Sequence, residues 1–175
     1  MVSTDSASRL RNASPQPTVE ELREIGLFGA LCDDVLAHLA STLEARWVPP
    51  GETIFREGDA AHDMFVVLEG EVEVLKHSRQ RHDHRVAILG PKDSCGEMSL
   101  IDVQPRSATV RSLAPSRLLR VTSEDFDRLY RYDLKSYALV TLNIARDLSR
   151  RLRVADGILA DFTAHVLDQS VKPRL

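Results

Sequence analysis

The feature of this chain that most limits its fold is a series of short β-forming segments between residues 46 and 121. Each segment is rich in β-branched, aromatic or aliphatic residues, and turn-forming residues separate one from the next. The segments are 53–55, 64–68, 72–75, 86–89, 108–110 and 118–121. Many short strands at such spacing predict a small β-sandwich or barrel.

Residues that precede this region predict a tail and then helices. Residues 1–17 contain no apolar run and are expected to form a disordered polar tail, not a signal peptide. Thr18 followed three residues later by Glu21 is the pattern of a capped helix start. Apolar residues in 33–43 then recur at helical spacing. Two short helices are therefore expected to open a barrel unit that spans 18–133.

A helical pattern returns after the last β segment. A short helix is expected over 123–130, with Thr122 or Ser123 as its cap, then a long helix over 134–168 and a tail over 169–175. Apolar residues of the long helix alternate at spacings of four and three: Leu148, Leu152, Ala155, Leu159, Phe162 and Val166. This heptad seam favours a homodimer through the helix over packing of the same stripe against its own barrel.

Composition excludes several classes of protein. Hydrophobic residues make up 43% and charged residues 28% of the 175 residues, which is typical of a globular protein. The net charge of -3 disfavours general nucleic-acid binding. Because no apolar run approaches the roughly 18 residues that span a bilayer, a cytoplasmic protein without membrane insertion is expected. Cys32 and Cys95 lack the spacing of a metal knuckle or disulfide framework and are predicted to be buried, small apolar residues.

The segment 96–110 carries the most specific chemistry. Residues 97–101 suit a single helical turn, whose first amides have no internal partner and can bind an anion. Pro105 ends this turn, and Arg106 is expected to open the next strand and to bind a phosphate through paired hydrogen bonds. Glu97 suits the donors of sugar hydroxyls. From spacing alone, a simple salt bridge between Arg106 and Glu97 remains an alternative.

Two motifs, in this order, resemble the cyclic nucleotide-binding domain family. The first is VPPGETIFREGD at 48–59 with DMFVVLEGEVEV at 63–74, and the second joins Gly-Glu at 96–97 to Pro-Arg-Ser-Ala-Thr at 105–109. The resemblance extends over about residues 27–168. It implies a mainly β fold with flanking helices, in which a double-stranded β-helix (a jelly-roll, cupin-like barrel of about eight strands) lies between short N-terminal helices and a long C-terminal helix.

The resemblance also implies a ligand-binding site. Arg106 would neutralise a cyclic phosphate, assisted by the hydroxyl of Ser107 and by a backbone amide of the short helical turn, and Glu97 would bind the ribose 2′-hydroxyl. The implied ligand-binding residues are Gly96, Glu97, Met98, Ser99, Arg106, Ser107, Ala108 and Leu89. The long helix would cap the base, and the candidates for that contact are Arg153, Ala155, Asp156 and Leu159.

The implied function is that of a sensor that changes conformation on binding its ligand and thereby controls an effector protein, whose identity the sequence does not give. Cyclic AMP is the expected ligand and cyclic GMP the second choice, with no cofactor. A cyclic dinucleotide such as c-di-GMP, or a ligand-silent dimerisation module, remains an alternative. Because only six residues follow Gln169, a DNA-binding helix-turn-helix has no room, and direct DNA binding is not expected.

A charged hairpin suggests a rival metal site. His77, His82, Asp83 and His84 are potential zinc or copper ligands. They lie among Lys and Arg residues within 76–85, and like charges would weaken cation binding. A solvated hairpin tip without metal is therefore expected. The sequence also lacks a nucleophile elbow, a P-loop and a paired-His motif, so catalytic activity is not expected.

Overall fold

Eight strands form two four-stranded antiparallel sheets in the computed structural model, which describes residues 16–78, 82–102 and 104–171. The strands are β1 (Glu44–Val48), β2 (Thr53–Phe55), β3 (Asp63–Glu69), β4 (Val72–His77), β5 (Asp83–Leu89), β6 (Ser94–Cys95), β7 (Thr109–Ser112) and β8 (Ser116–Thr122). The first sheet has the order β1-β8-β3-β6 and the second β2-β7-β4-β5. The predicted mainly β barrel of about eight strands is confirmed.

Side-chain alternation along β3 divides the core into two layers. Phe65 and Val67 point between the two sheets, where they pack in an apolar cluster with Val72 and Leu118. Met64 and its alternate neighbours point the other way, into a cluster formed with the helices. Since successive side chains of a strand face opposite sides, the first sheet lies between the second sheet and a helical layer.

Five α-helices and a 3-10 turn are found in the described part of the chain. They are α1 (Val19–Glu24), the 3-10 turn (Gly26–Phe28), α2 (Asp33–Thr42), α3 (Met98–Ile101), α4 (Ser123–Tyr132) and α5 (Leu134–Val171). The predicted capping box of Thr18 and Glu21 begins α1. Thr122 caps α4 in the same way. The 3-10 turn was not predicted from the sequence.

Several predicted boundaries are wrong. β1 and the two-residue β6 were missed, since the charged side chains of β1 hide its strand pattern. The region expected to be a hairpin tip over 76–85 is narrower, because β4 continues to His77 and β5 begins at Asp83. Arg106 does not open a strand, as β7 begins at Thr109. The long helix continues three residues beyond its predicted end, to Val171.

The two ends and the cysteines also refine the predictions. Residues 1–15 of the predicted tail lie outside the described residues, but Pro17 is buried and the carbonyl of Gln16 accepts a hydrogen bond from Arg117 at 3.3 Å. Cys95 is buried as expected, whereas Cys32 is exposed because it sits at the surface start of α2. No helix within the described ranges combines the length and apolar character that a membrane span needs.

The buried side chains of the long helix α5 lie in its first half, among the residues that the structure describes. Val140 and Ile144 are buried in the helical layer. The side-chain amide of Asn143 donates to the carbonyls of Leu27 and Gly29, each at 3.1 Å. Beyond residue 151, large apolar side chains are exposed, namely Leu152, Val154, Ile158, Leu159, Phe162 and Val166.

Candidate ligand-binding cavity

A cavity of about 630 Å³ lies between the second sheet, α5 and the segment that runs from Gly96 to Ala108, here called the cassette. Its volume is within the range of small-molecule sites. All eight residues predicted to bind the ligand line it: Leu89, Gly96, Glu97, Met98, Ser99, Arg106, Ser107 and Ala108. The structure therefore brings them together around one space, and their contacts with a ligand stay a prediction.

Glycine at position 96 allows the cassette to close around Arg106. Its φ of 82° lies in the left-handed region, which L side chains rarely adopt. A Cβ at this position would also overlap Nη1 of Arg106. Hence the close approach of backbone and guanidinium requires a residue without a side chain.

Arg106 is held by Asp63 and not by Glu97. The residue is 5% exposed, and Nη1 donates to the carbonyl of Asp63 at 2.7 Å and to that of Gly96 at 3.2 Å. Nη2 forms an ion pair with the Asp63 carboxylate, and the guanidinium lies 4.0 Å from the ring centroid of Phe55. Nε is buried and has no hydrogen-bond partner among the described residues. The group is fixed in place with one donor unused.

Glu97 is the second buried charged residue of the cassette, and it is 3% exposed. Oε1 accepts a hydrogen bond from Nη1 of Arg151 at 3.1 Å, while Oε2 is buried without a hydrogen-bond partner in the described part of the chain. Burial raises the pKa of Glu97 above its ordinary value, and the nearby Arg151 opposes that rise. The site thus holds a buried carboxylate with one acceptor unused.

The hydroxyl of Ser107 was expected to assist Arg106. In the structure this exposed side chain donates to the sulfur of Met98 at 3.6 Å. The carbonyl of Ser107 accepts from Nζ of Lys76, which also pairs with Glu57 at 2.7 Å. Lys76 is therefore a charged group of the cavity wall that the sequence did not identify.

Two of the four long-helix residues predicted to contact the base, Ala155 and Leu159, lie on the helix face that is turned to the cavity. Four of its residues line the cavity: Leu148, Arg151, Leu152 and Ala155. Of the four candidates for base contact only Ala155 is among them. Arg153 and Asp156 are exposed and do not line the cavity, and Leu159 lies one turn beyond it. Because positions three, four and seven apart share a helix face, the face of α5 that is turned to the cavity is centred on Leu152.

The sequence did not predict the ion-pair partners of Arg106 and Glu97. Asp63 is the first residue of β3, directly before its apolar run, and Arg151 flanks the apolar seam of α5, directly before Leu152. Each is a charged residue next to an apolar position, and such a position is ordinary for a charge, so the sequence carries no specific signal for it. Other missed residues of the wall are Phe55, Val86, Cys95, Val110, Leu148 and Leu152.

The rival metal site has little support in the hairpin. Nδ1 of His77 lies 2.9 Å from Oδ1 of Asp83, and both side chains are exposed. No group of three or more metal-ligating side chains occurs in the ranges that the structure describes. Residues 79–81 at the tip lie outside those ranges.

Comparison with known proteins gives this arrangement a family context. The family described as "Cyclic nucleotide-binding domain" matches residues 45–133. The cyclic AMP receptor protein of Thermus thermophilus is 34% identical over 130 residues, which are 74% of this chain and 58% of the relative. The CRP-like cAMP-activated global transcriptional regulator of Mycobacterium tuberculosis is 28% identical over 142 residues, 81% of this chain and 62% of the relative. The chain thus spans about three fifths of the length of these two relatives.

A solved structure agrees along most of the chain. The cyclic nucleotide-binding domain from Methylobacillus flagellatus superposes with a TM-score of 0.73 at 27% identity, covering 82% of this chain and 81% of that one. The agreement therefore extends beyond the residues matched by the family to most of the described molecule.

Proposed function

Because the chain belongs to the cyclic nucleotide-binding domain family, we propose that it is a regulatory sensor whose cavity binds cyclic AMP, with cyclic GMP as the second choice. One observation carries this proposal. Arg106 and Glu97 are buried at one cavity wall, and each has a polar atom without a hydrogen-bond partner among the described residues. A ligand with both a phosphate and a ribose hydroxyl supplies the missing acceptor and the missing donor.

The cavity chemistry suits such a ligand. A phosphate oxygen can accept from Nε of Arg106 while the two Nη atoms keep their contacts with Asp63. The ribose 2′-hydroxyl can donate to Oε2 of Glu97. Apolar walls contributed by Val74 and Leu89 suit the face of a purine. Binding without catalysis is sufficient for the proposed role.

The choice of cyclic AMP is supported by the relatives. Two of them are named as a cyclic AMP receptor and as a cAMP-activated regulator. The cassette itself recognises phosphate and sugar and so does not select the base. Ser107 can donate to a phosphate or contact a guanine, which keeps cyclic GMP as the second candidate.

The proposed response is a shift between positions of α5. Asp133 is the single residue between α4 and α5, in an extended conformation, and its carboxylate accepts from the Ser136 amide at 3.1 Å. A ligand that contacts both the cassette and the Ala155 face of α5 stabilises the arrangement in which the helix closes the cavity. An effector that binds one helix position would then sense the ligand.

The proposed assembly is a homodimer through α5. The second half of this helix exposes Ile158, Leu159 and Phe162, each more than half accessible. Leu159 and Phe162, together with Leu152 and Val166, form a stripe at heptad spacing, the pattern by which helices pair, and Ile158 lies beside it. A second copy of the same helix presents the matching stripe.

Calorimetric titration tests the ligand proposal. The protein is titrated separately with cyclic AMP, cyclic GMP and c-di-GMP, alongside Arg106→Ala and the control Arg131→Ala, an exposed arginine of α4. Saturable binding of cyclic AMP is expected for the unsubstituted protein. Arg106→Ala should weaken this binding at least tenfold, because it removes a charge-assisted contact, whereas Arg131→Ala should not weaken it. Recovery of unchanged nucleotide would support binding without catalysis.

The other outcomes of this titration each point elsewhere. Binding of c-di-GMP alone would replace the proposal by the dinucleotide alternative. Absence of binding to all three nucleotides would favour the ligand-silent dimerisation module.

A further inference from the structure

The carboxylate of Asp63 is shared by two arginines. Oδ1 pairs with Nη2 of Arg106, and Oδ2 accepts a hydrogen bond from Nε of Arg120 at 2.6 Å. We infer that Arg120 is a positioning residue for the ligand phosphate, acting through Asp63 on the charge that Arg106 presents. The inference rests on the proposed function, because it concerns the affinity of the same phosphate site.

Arg120 lies outside the ligand cavity. It belongs to β8, beside β3 in the first sheet, and lines a separate cavity of about 400 Å³. Arg106 lines both cavities, so its guanidinium forms part of the wall between them. A ligand against the cassette therefore does not meet Arg120, and any effect of Arg120 on binding has to pass through Asp63 and Arg106.

Among the charged groups that line this cavity with Arg120, Asp63 is its principal partner. Glu44 is its cross-strand neighbour on β1, and Asp59 and Arg46 line the same cavity. Nη1 of Arg46 lies 3.9 Å from Oε1 of Glu52. Of these groups Asp63 makes the short contact with Arg120, and its side chain is 15% exposed against 46% for Arg120.

The charge balance explains the expected effect. With Arg120 present, two arginines share one carboxylate, and the cluster keeps one net positive charge for an anionic phosphate. Without Arg120, Asp63 and Arg106 form a neutral pair, and the whole carboxylate competes with the phosphate for the Arg106 guanidinium. In a partly buried site such a change outweighs screening by solvent. Phosphate affinity therefore depends on a residue that the phosphate does not touch.

A double-mutant cycle tests this inference. Arg120→Gln is expected to weaken cyclic AMP binding about fivefold, which corresponds to about 1 kcal/mol of binding free energy. In the Asp63→Asn background the same change should alter affinity less than about twofold, because there is no carboxylate left to share. Arg120→Lys keeps a charge that can donate to Asp63 and should restore most of the affinity.

The matched control is Arg111→Gln. Arg111 has the same 46% exposure and pairs with another buried carboxylate, Glu73 at 2.6 Å, but that carboxylate does not contact Arg106. The substitution Arg111→Gln removes one positive charge, as Arg120→Gln does, and is expected to leave the affinity for cyclic AMP unchanged. Thermal unfolding of each variant shows whether it is folded.

Two results would overturn the inference while the proposed function stands. One is an Arg120→Gln affinity equal to that of Arg111→Gln, and the other is the same loss in both Asp63 backgrounds. Failure of the unsubstituted protein to bind any of the nucleotides would instead overturn the proposed function, and this inference with it.

Discussion

Nη1 of Arg151 in α5 lies 3.1 Å from Oε1 of Glu97 in the cassette. The same guanidinium donates through Nη2 to the carbonyl of Ser94 at 2.8 Å. The long helix is therefore connected by charge to the residue proposed to bind the ribose. Any group that competes for Glu97 also acts on the position of α5.

Arg151→Ala should destabilise the protein near neutral pH. Glu97 would stay buried but lose the neighbouring charge, so its pKa would rise further. The free energy of unfolding is expected to fall by about 1–3 kcal/mol, measured by chemical denaturation. Arg150→Ala, which removes an exposed neighbour, is the control. Adding Glu97→Gln to Arg151→Ala should recover most of the loss, and no recovery would show that the ion pair is not the cause.

Glu97→Gln should change the pH dependence of stability. Burial raises the folded-state pKa of Glu97 above its ordinary value of 4.5, so the unfolded chain loses this proton at lower pH than the folded chain does. As pH rises above about 4.5, the wild-type protein should therefore lose stability relative to the variant, until the folded pKa is passed. Thermal unfolding of both proteins between about pH 4 and pH 8 measures this difference. A difference that does not vary with pH would contradict it.

Gly96→Ala should reduce ligand affinity at least tenfold. The new Cβ would overlap Nη1 of Arg106 and force the guanidinium out of place, in addition to the strain of a left-handed φ, about 1–2 kcal/mol. Gly51→Ala is the control, because its φ of 81° imposes similar strain but a Cβ there has no described atom within 4 Å. Calorimetry and thermal unfolding separate the two effects. Equal losses of affinity in both variants would refute a specific role for position 96.

Phe162→Asp should convert the proposed dimer into a monomer. A charge in the exposed stripe of α5 would have to be buried between the two helices. Sedimentation equilibrium over a wide concentration range measures the change. Leu113→Asp, an exposed apolar residue in the turn before β8, should leave the assembly unchanged. If the unsubstituted chain sediments as a monomer at every concentration, the proposed homodimer is wrong.

Alkylation of the two cysteines should proceed at very different rates. Burial raises the pKa of the Cys95 thiol to about 12, so at neutral pH almost none of it is the reactive thiolate. Cys32 is exposed and should react with iodoacetamide first, as followed by mass spectrometry. Since Cys95 lines the cavity, bound cyclic AMP should slow its modification further while Cys32 is unaffected. Similar rates for both thiols would contradict the buried position of Cys95.

The sequence predicted the parts of the site that lie within one short segment. Glu97 and Arg106 are nine positions apart in a recognisable motif, so their common cavity could be anticipated. Their partners could not, because Asp63 is 43 positions from Arg106 and Arg151 is 54 positions from Glu97. Ion pairs over such separations depend on how the sheets and α5 pack, which local patterns do not encode.

The fold shows the same division between local and distant information. The spacing of hydrophobic residues along the sequence predicted the barrel and the long helix, since alternation and heptad spacing are local properties. It missed β1, whose polar side chains are exposed on one face, and β6, whose two residues are a strand only because they pair with β3. The register of α5 against the cavity likewise depends on packing, and of the four residues predicted to contact the base Ala155 lines the cavity.

Because the buried side chains that the structure describes in α5 lie in its first half, the second half of the helix can act as a lever arm. At about 1.5 Å per residue, the part beyond Arg151 extends about 30 Å from the cavity to Val171. A rotation of about 10° at the cavity would move the far end by about 5 Å, comparable with one helical turn. Under the proposed function, a small rearrangement around a ligand would be amplified in this way into a displacement large enough to expose or hide a binding surface for another molecule.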